Sequence, residues 1–197
     1  MKKIVKIVLT GGSCAGKTSA QKYLIANLNS DIATLIVPEA ASILLANGVC
    51  RDEITTYSFQ KSIFSIQKYL ESTFENIANE INRNVLIICD RGTCEGRAFL
   101  SKSEWTKLLN ANNTTFENEL NSYYAVIFMP SVSVDYPELY LNTPIRNYTL
   151  SNAQRENEKI YNIWKNHNNF HTINSYSDFD LKLKEVLTKV IEIIDEV

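Results

Sequence analysis

Gly11-Gly12-Ser13-Cys14-Ala15-Gly16-Lys17-Thr18, of the form G-x-x-x-x-G-K-[ST], constrains this chain more than any other stretch. It follows the apolar run Ile4-Val5-Lys6-Ile7-Val8-Leu9, which reads as a buried strand, and a helix-compatible segment from Thr18 to Leu28 comes next. Strand, glycine-rich loop and helix in that order make a phosphate-binding loop. Glycines let backbone N–H groups turn inward around a β-phosphate, and the helix N-terminus adds about half a positive charge where the anion sits. Lys17 is expected to reach the β- and γ-phosphates, and the Thr18 hydroxyl to ligate Mg²⁺. The nucleotide-binding set is therefore Gly11, Gly12, Ser13, Cys14, Ala15, Gly16, Lys17, Thr18 and Ser19, with ATP or GTP as the ligand.

The rest of the chain fits one α/β domain spanning residues 1–197. With 197 residues and 45% hydrophobic content, the chain has enough apolar surface for a sizeable core. The formal net charge is −2, and no Lys/Arg block marks a nucleic-acid footprint or a polybasic membrane patch. No stretch approaches the ~20 apolar residues that cross a bilayer, and the N-terminus lacks a signal-peptide core, so a cytoplasmic location is expected. Cys14, Cys50, Cys89 and Cys94 form no C-x-x-C pair, and His167 and His171 lie far from them, which argues against zinc. Cys89 is expected to pack as a small hydrophobe, and His167 to close a helix.

Short apolar runs alternate with amphipathic stretches, the pattern of a parallel sheet with crossover helices. Strands are expected at Lys3–Leu9, Ala33–Val37, Asn84–Asp90, Tyr124–Met129 and Phe170–Ile173. Helical spacing over Glu53–Arg83 predicts one long helix or two abutting ones. Further helical stretches follow Asp90, with breaks near Ser101–Ser103 and at Asn112-Asn113, and helices are expected again over Ser151–Asn166 and Ser177–Val197. Residues 131–150 contain Pro137 and Pro144 and lose periodicity, so they read as a lid-like loop.

Val85–Asp90 is an apolar strand that ends on a carboxylate. Asp90 there can hold Mg²⁺ opposite Thr18. Arg91 follows directly, and its planar fork suits phosphate oxygens. Glu39 follows the second strand. A base at that point faces the γ-phosphate across the cleft at the strand ends, although a carboxylate that merely opens a helix is the alternative.

Asp90-Arg91 resembles the Asp/Glu-Arg-Ser motif of deoxynucleoside and thymidylate kinases, and Glu39 stands where such kinases carry the base that deprotonates the acceptor hydroxyl. In those kinases a helix at the place of Phe59-Gln60 and Gln67 carries a Gln that reads a base edge, which makes Gln60 and Gln67 candidate substrate contacts. Taken with Thr10–Ser19, Val37-Pro38-Glu39-Ala40-Ala41, Trp105 and Trp164-Lys165-Asn166-His167, these segments resemble the P-loop family of the TRPL translocation defect protein, over about residues 3 to 190. That family is similar to nicotinamide-riboside kinase domains.

The resemblance implies a P-loop NTPase of the nucleoside/nucleotide-kinase type, with a five-stranded parallel sheet of order 2-3-1-4-5. It also implies a lid arginine at Arg146. Two positions depart from the pattern: Tyr148 stands where a Glu is usual, and Asn157 replaces a helix Asp.

Three functions follow from these residues. One is a kinase moving the γ-phosphate to a nucleoside-like or ribosyl hydroxyl, with Lys17, Glu39, Arg91 and Arg146 as its catalytic set. The second is a GTP- or ATP-dependent switch that binds phosphoinositide or a protein, as the animal member of the resembled family suggests. The third is an ATPase coupled to a partner. No [NT]-K-x-D guanine-reading string occurs, which speaks against a Ras-type GTPase.

Overall fold

The computed structural model describes residues 2–140 and 149–197. Its centre is β1 (Ile4–Thr10), flanked by β3 (Asn84–Asp90) and β4 (Ala125–Phe128); β2 (Ile32–Val37) and β5 (Phe170–Thr172) form the edges. The order is β2-β3-β1-β4-β5, and every pairing is parallel. Leu9 pairs with Asp90, Val37 with Cys89 and Thr10 with Phe128, so the strands end together along one edge. In a doubly wound sheet that edge is where ligands bind.

Period-2 alternation sends each strand's side chains to two separate cores. On one face Ile7, Leu9, Leu86, Ile88 and Ile127 meet Leu24 of α1 (Lys17–Asn27) and Leu183, Val186 and Val190 of α8 (Phe179–Asp195). On the other, Val8, Val85, Ile87, Cys89 and Val126 meet Ala78 of α3 (Thr56–Glu80) and Ile160, Ile163 and Trp164 of α7 (Leu150–Trp164). Because both faces are covered, the central strands read as continuous apolar runs. Cys89 packs here as expected, and burial pushes its thiol well above the ordinary range.

The long helical pattern forms one helix of 25 residues. It starts after Thr55, whose hydroxyl accepts from the Ser58 N–H, and a 3-10 turn at Arg51–Glu53 precedes it. The preceding α2 (Ala40–Ala46) is short. After β3 a 3-10 segment, Thr93–Ala98, leads to α4 (Lys102–Ala111) and α5 (Phe116–Leu120). A capping box between Ser101 and Glu104 fixes the start of α4. The first part of the aperiodic stretch is ordered into α6 (Val132–Asp135) and a 3-10 turn, Pro137–Leu139. Residues 141–148, and with them Arg146 and Tyr148, lie outside the described residues. Among the described residues no helix is long and apolar enough to cross a membrane.

Candidate nucleotide and acceptor site

The loop between β1 and α1 has the backbone its sequence requires. Gly11 sits at φ 142°, where a Cβ would run into the Met129 carbonyl, and Gly16 at φ 88° makes the left-handed turn into α1. Cys14 also adopts a positive φ, 58°. α1 has no acidic residue in its first turn and no side-chain cap, which leaves its N-terminal N–H groups directed to the loop. The Lys17 side chain is buried, and its Nζ donates to the carbonyls of Gly11 (3.1 Å) and Gly12 (3.2 Å). Thr18 and Ser19 are exposed at the loop mouth.

α7 leans on this loop. Asn157 Oδ1 accepts from the N–H of Gly12 (3.3 Å) and of Ser131 (3.0 Å), and the Ser131 hydroxyl donates to the Ser13 carbonyl. Ser13 Oγ is 3.4 Å from a Glu156 oxygen. The Asn157 amide thus bridges the phosphate loop and the segment after β4. This is the position where the family resemblance leads one to expect Asp.

Asp90 closes β3 and is 7% exposed; its Oδ1 is buried with no hydrogen-bond partner. Burial raises its pKa; nearby Lys17 opposes that rise and Glu39 adds to it. An orphaned carboxylate oxygen beside a phosphate loop is the donor that a divalent cation needs. The residues therefore fit Mg²⁺, which Thr18 and Asp90 would hold.

Arg91 continues the strand into a turn at φ 70°. Its Nε donates to Glu39 at 2.7 Å, one terminal nitrogen to Glu95 at 2.7 Å, and the other reaches Glu156 at 3.4 Å. Burial disfavours the guanidinium charge, but Glu95, Glu39 and Glu156 outweigh it and keep the group firmly protonated. Glu39 is the N-cap residue of α2, yet its side chain caps no backbone N–H. One carboxylate oxygen takes the Arg91 bond and the other the Ser42 hydroxyl. A helix-opening role alone does not account for that placement.

Glu95 and Glu156 are the residues that sequence reasoning missed. Glu95 is 5% exposed and also accepts from the Thr10 hydroxyl and from Trp164 Nε1 (3.3 Å). The i,i+4 spacing of Arg91 and Glu95 was the available signal.

Gln60 and Gln67 both line one cleft, as their shared helical face suggests. Their environments differ. Gln67 Nε2 donates to the Arg91 carbonyl (3.3 Å) and to Glu71 (2.9 Å). Glu71 in turn accepts from the Tyr123 hydroxyl (2.8 Å) and pairs with Lys6 (3.1 Å), while Tyr123 accepts from the Thr93 N–H (2.9 Å). Gln67 thus belongs to a buried network that holds the Asp90–Thr93 turn. The Gln60 side chain makes no hydrogen bond to another described residue.

The cleft has a volume of about 690 Å³ and lies between α2, α3 and the ends of β2 and β3. Glu39, Asp90 and Arg91 line its inner end, and Phe59, Ile63 and Phe64 form an apolar wall. His167 lies away from it, bonded to the Tyr123 carbonyl (3.0 Å) and the Asn169 N–H (3.0 Å) at the end of α7. No group of three or more His, Cys, Asp or Glu residues among those described forms a metal cluster.

A glycine-rich loop after the central strand, a strand-end aspartate beside it and the 2-3-1-4-5 sheet define a P-loop NTPase fold. The chain matches the AAA domain family over residues 6–178 and belongs to that family. No curated protein matches it. Family and geometry together support nucleotide binding at Gly11–Thr18.

Proposed function

We propose that this protein is a small-molecule kinase that transfers the γ-phosphate of a Mg-nucleoside triphosphate to a hydroxyl of a nucleoside-like or ribosyl acceptor. The observation that carries the proposal is the cleft of about 690 Å³, walled by Glu39 and Arg91, next to the phosphate loop. A switch needs no such chamber; a phosphotransferase does. The resemblance to nucleoside and nicotinamide-riboside kinases points the same way, while the animal member of the TRPL translocation defect family favours the switch.

Lys17 and the loop N–H groups hold the phosphates, and Lys17 leaves the Gly11 and Gly12 carbonyls to do so. Thr18 and Asp90 would hold Mg²⁺, which would supply positive charge against the phosphates. The acceptor oxygen bonds to the γ-phosphorus as the bond to the β-bridging oxygen breaks. The hydroxyl proton passes to Glu39, and the diphosphate leaves. Arg91 orients the Glu39 carboxylate from its Nε. The family resemblance implies that Arg146, which lies outside the described residues, supplies positive charge to the transferring group. Gln60 offers its amide to the acceptor, and Gln67 keeps the Arg91 turn in place.

A ribonucleoside panel incubated with Mg-ATP or Mg-GTP tests the proposal. At least one member should raise diphosphate release well above the acceptor-free rate and appear as a phosphorylated product by phosphorus NMR. Slow hydrolysis that no acceptor changes would favour the switch or the partner-coupled ATPase.

A further inference from the structure

One carboxylate spans the two halves of the site. Glu156, on α7, has one oxygen 3.4 Å from the Ser13 hydroxyl of the phosphate loop and the other 3.4 Å from a terminal nitrogen of Arg91. Its side chain is 10% exposed. Glu39 and Asp90 line the same cleft beside Ser13, Arg91 and Glu156. A triphosphate seated on Gly11–Thr18 directs its terminal group past Lys17 toward Glu39 and Arg91, and so enters the gap that this carboxylate bridges. Carboxylate and phosphate compete there for the same hydroxyl and guanidinium donors.

Distances decide which contact gives way. Arg91 holds Glu39 and Glu95 at 2.7 Å but Glu156 at 3.4 Å. Both Glu156 contacts are longer than an ordinary charge-assisted hydrogen bond, whereas the other two are short. The backbone of α7 is fixed at this point. Asn157 accepts from the N–H of Gly12 and of Ser131, and a Cβ on Gly12 would come within 2.9 Å of the Asn157 Cβ. The Glu156 side chain, rather than its helix, is the part that can move.

We infer that Glu156 sets the preference between nucleoside triphosphate and diphosphate: it holds the place of the terminal phosphate, is displaced from Ser13 and Arg91 when a triphosphate binds, and stays beside a diphosphate. Triphosphate binding then includes breaking both contacts and bringing like charges together in a buried site, and diphosphate binding does not. Displacement frees one terminal nitrogen of Arg91 for the phosphate while its Nε remains on Glu39. This needs the phosphate loop and no acceptor, so it holds for a kinase and for a switch alike.

Calorimetric titration of the full chain with Mg-ADP and with a non-hydrolysable Mg-ATP analogue tests it through the ratio of the two dissociation constants. Glu156→Gln keeps the shape and removes the charge. It should shift the ratio by about 5- to 10-fold toward the triphosphate analogue, chiefly by tightening that ligand. Glu156→Asp is one methylene shorter and draws the charge back from the gap, so it should shift the ratio the same way by less. Glu158→Gln, exposed on the same helix, should leave the ratio unchanged. A Gln variant with the wild-type ratio, or one that moves toward the diphosphate, overturns the inference. Loss of Mg-ADP binding in both Glu156 variants overturns it too, since the residue is then structural. Wild-type protein that binds neither nucleotide removes the phosphate-loop assignment and this inference with it.

Discussion

Arg91 donates from its Nε to Glu39 at 2.7 Å, so the residue that follows β3 holds the carboxylate that follows β2. The same guanidinium reaches Glu95 and Glu156, and one side chain thereby ties α2, the 3-10 segment after β3 and α7 together at the mouth of the phosphate loop. Removing it leaves three largely buried carboxylates facing one another. Arg91→Met is expected to lower stability by about 3–5 kcal/mol, the usual result of taking one partner from a buried ionic cluster. Arg91→Lys, which retains charge but loses the fork, should recover part of that. Chemical denaturation of the three proteins measures it; equal stability of Arg91→Met and wild type would contradict the hub.

Asp90 makes an opposite prediction for the apoprotein. Burial raises its folded-state pKa above the ordinary 3.8. A raised carboxylate contributes fully below its unfolded pKa, and that contribution is lost as pH rises through the folded value. Above that window, Asp90→Asn should therefore melt higher than wild type without ligand. It should also bind Mg-nucleotide more weakly. Thermal melts between pH 3 and 8 and Mg²⁺-dependent nucleotide titration should show both effects. A variant that lost apo stability at neutral pH would contradict this account of Asp90.

Gln60 and Gln67 should separate, although they share a helix face. Gln67→Leu leaves the Arg91 carbonyl and part of Glu71 unsatisfied, at a cost of about 1–3 kcal/mol. Gln60→Leu removes no internal bond and should change stability little, while raising the acceptor KM. Denaturation together with acceptor titration distinguishes them, and a Gln60 variant as unstable as the Gln67 one would make both residues structural.

The parts of this protein that were legible in the sequence are the local ones. The phosphate loop is one contiguous string, and the buried strands of the sheet announce themselves as apolar runs. The site is different, because its pairs are distant: Glu39 and Arg91 are 52 residues apart, and Arg91 and Glu156 are 65. Gln67 illustrates the limit. Seven-residue spacing put it on the face of Gln60, and both reach the cleft, but its amide is taken by a carbonyl 24 residues away that periodicity does not see. The four-residue helix α6 escaped notice because one turn is too short to show a repeat.

Lys17 carries the nucleotide claim. Lys17→Ala should keep the fold, since the Nζ hydrogen bonds to the Gly11 and Gly12 carbonyls stay within the Lys17 loop itself. It should weaken Mg-ATP and Mg-GTP binding by about 100-fold or more. Unchanged calorimetric affinity for both nucleotides would remove the phosphate-loop assignment.

The kinase account is tested most directly by Glu39→Gln. The amide has nearly the shape of the carboxylate but cannot take a proton, and Lys17, Thr18 and Asp90 remain to hold Mg-nucleotide. Single-turnover phosphoryl transfer to whichever acceptor stimulates the wild type should fall by about 10²- to 10⁴-fold, with nucleotide affinity changed little. If transfer persists at the wild-type rate, or if the variant simply loses stability in proportion to its activity, Glu39 is a partner of Arg91 and not the base.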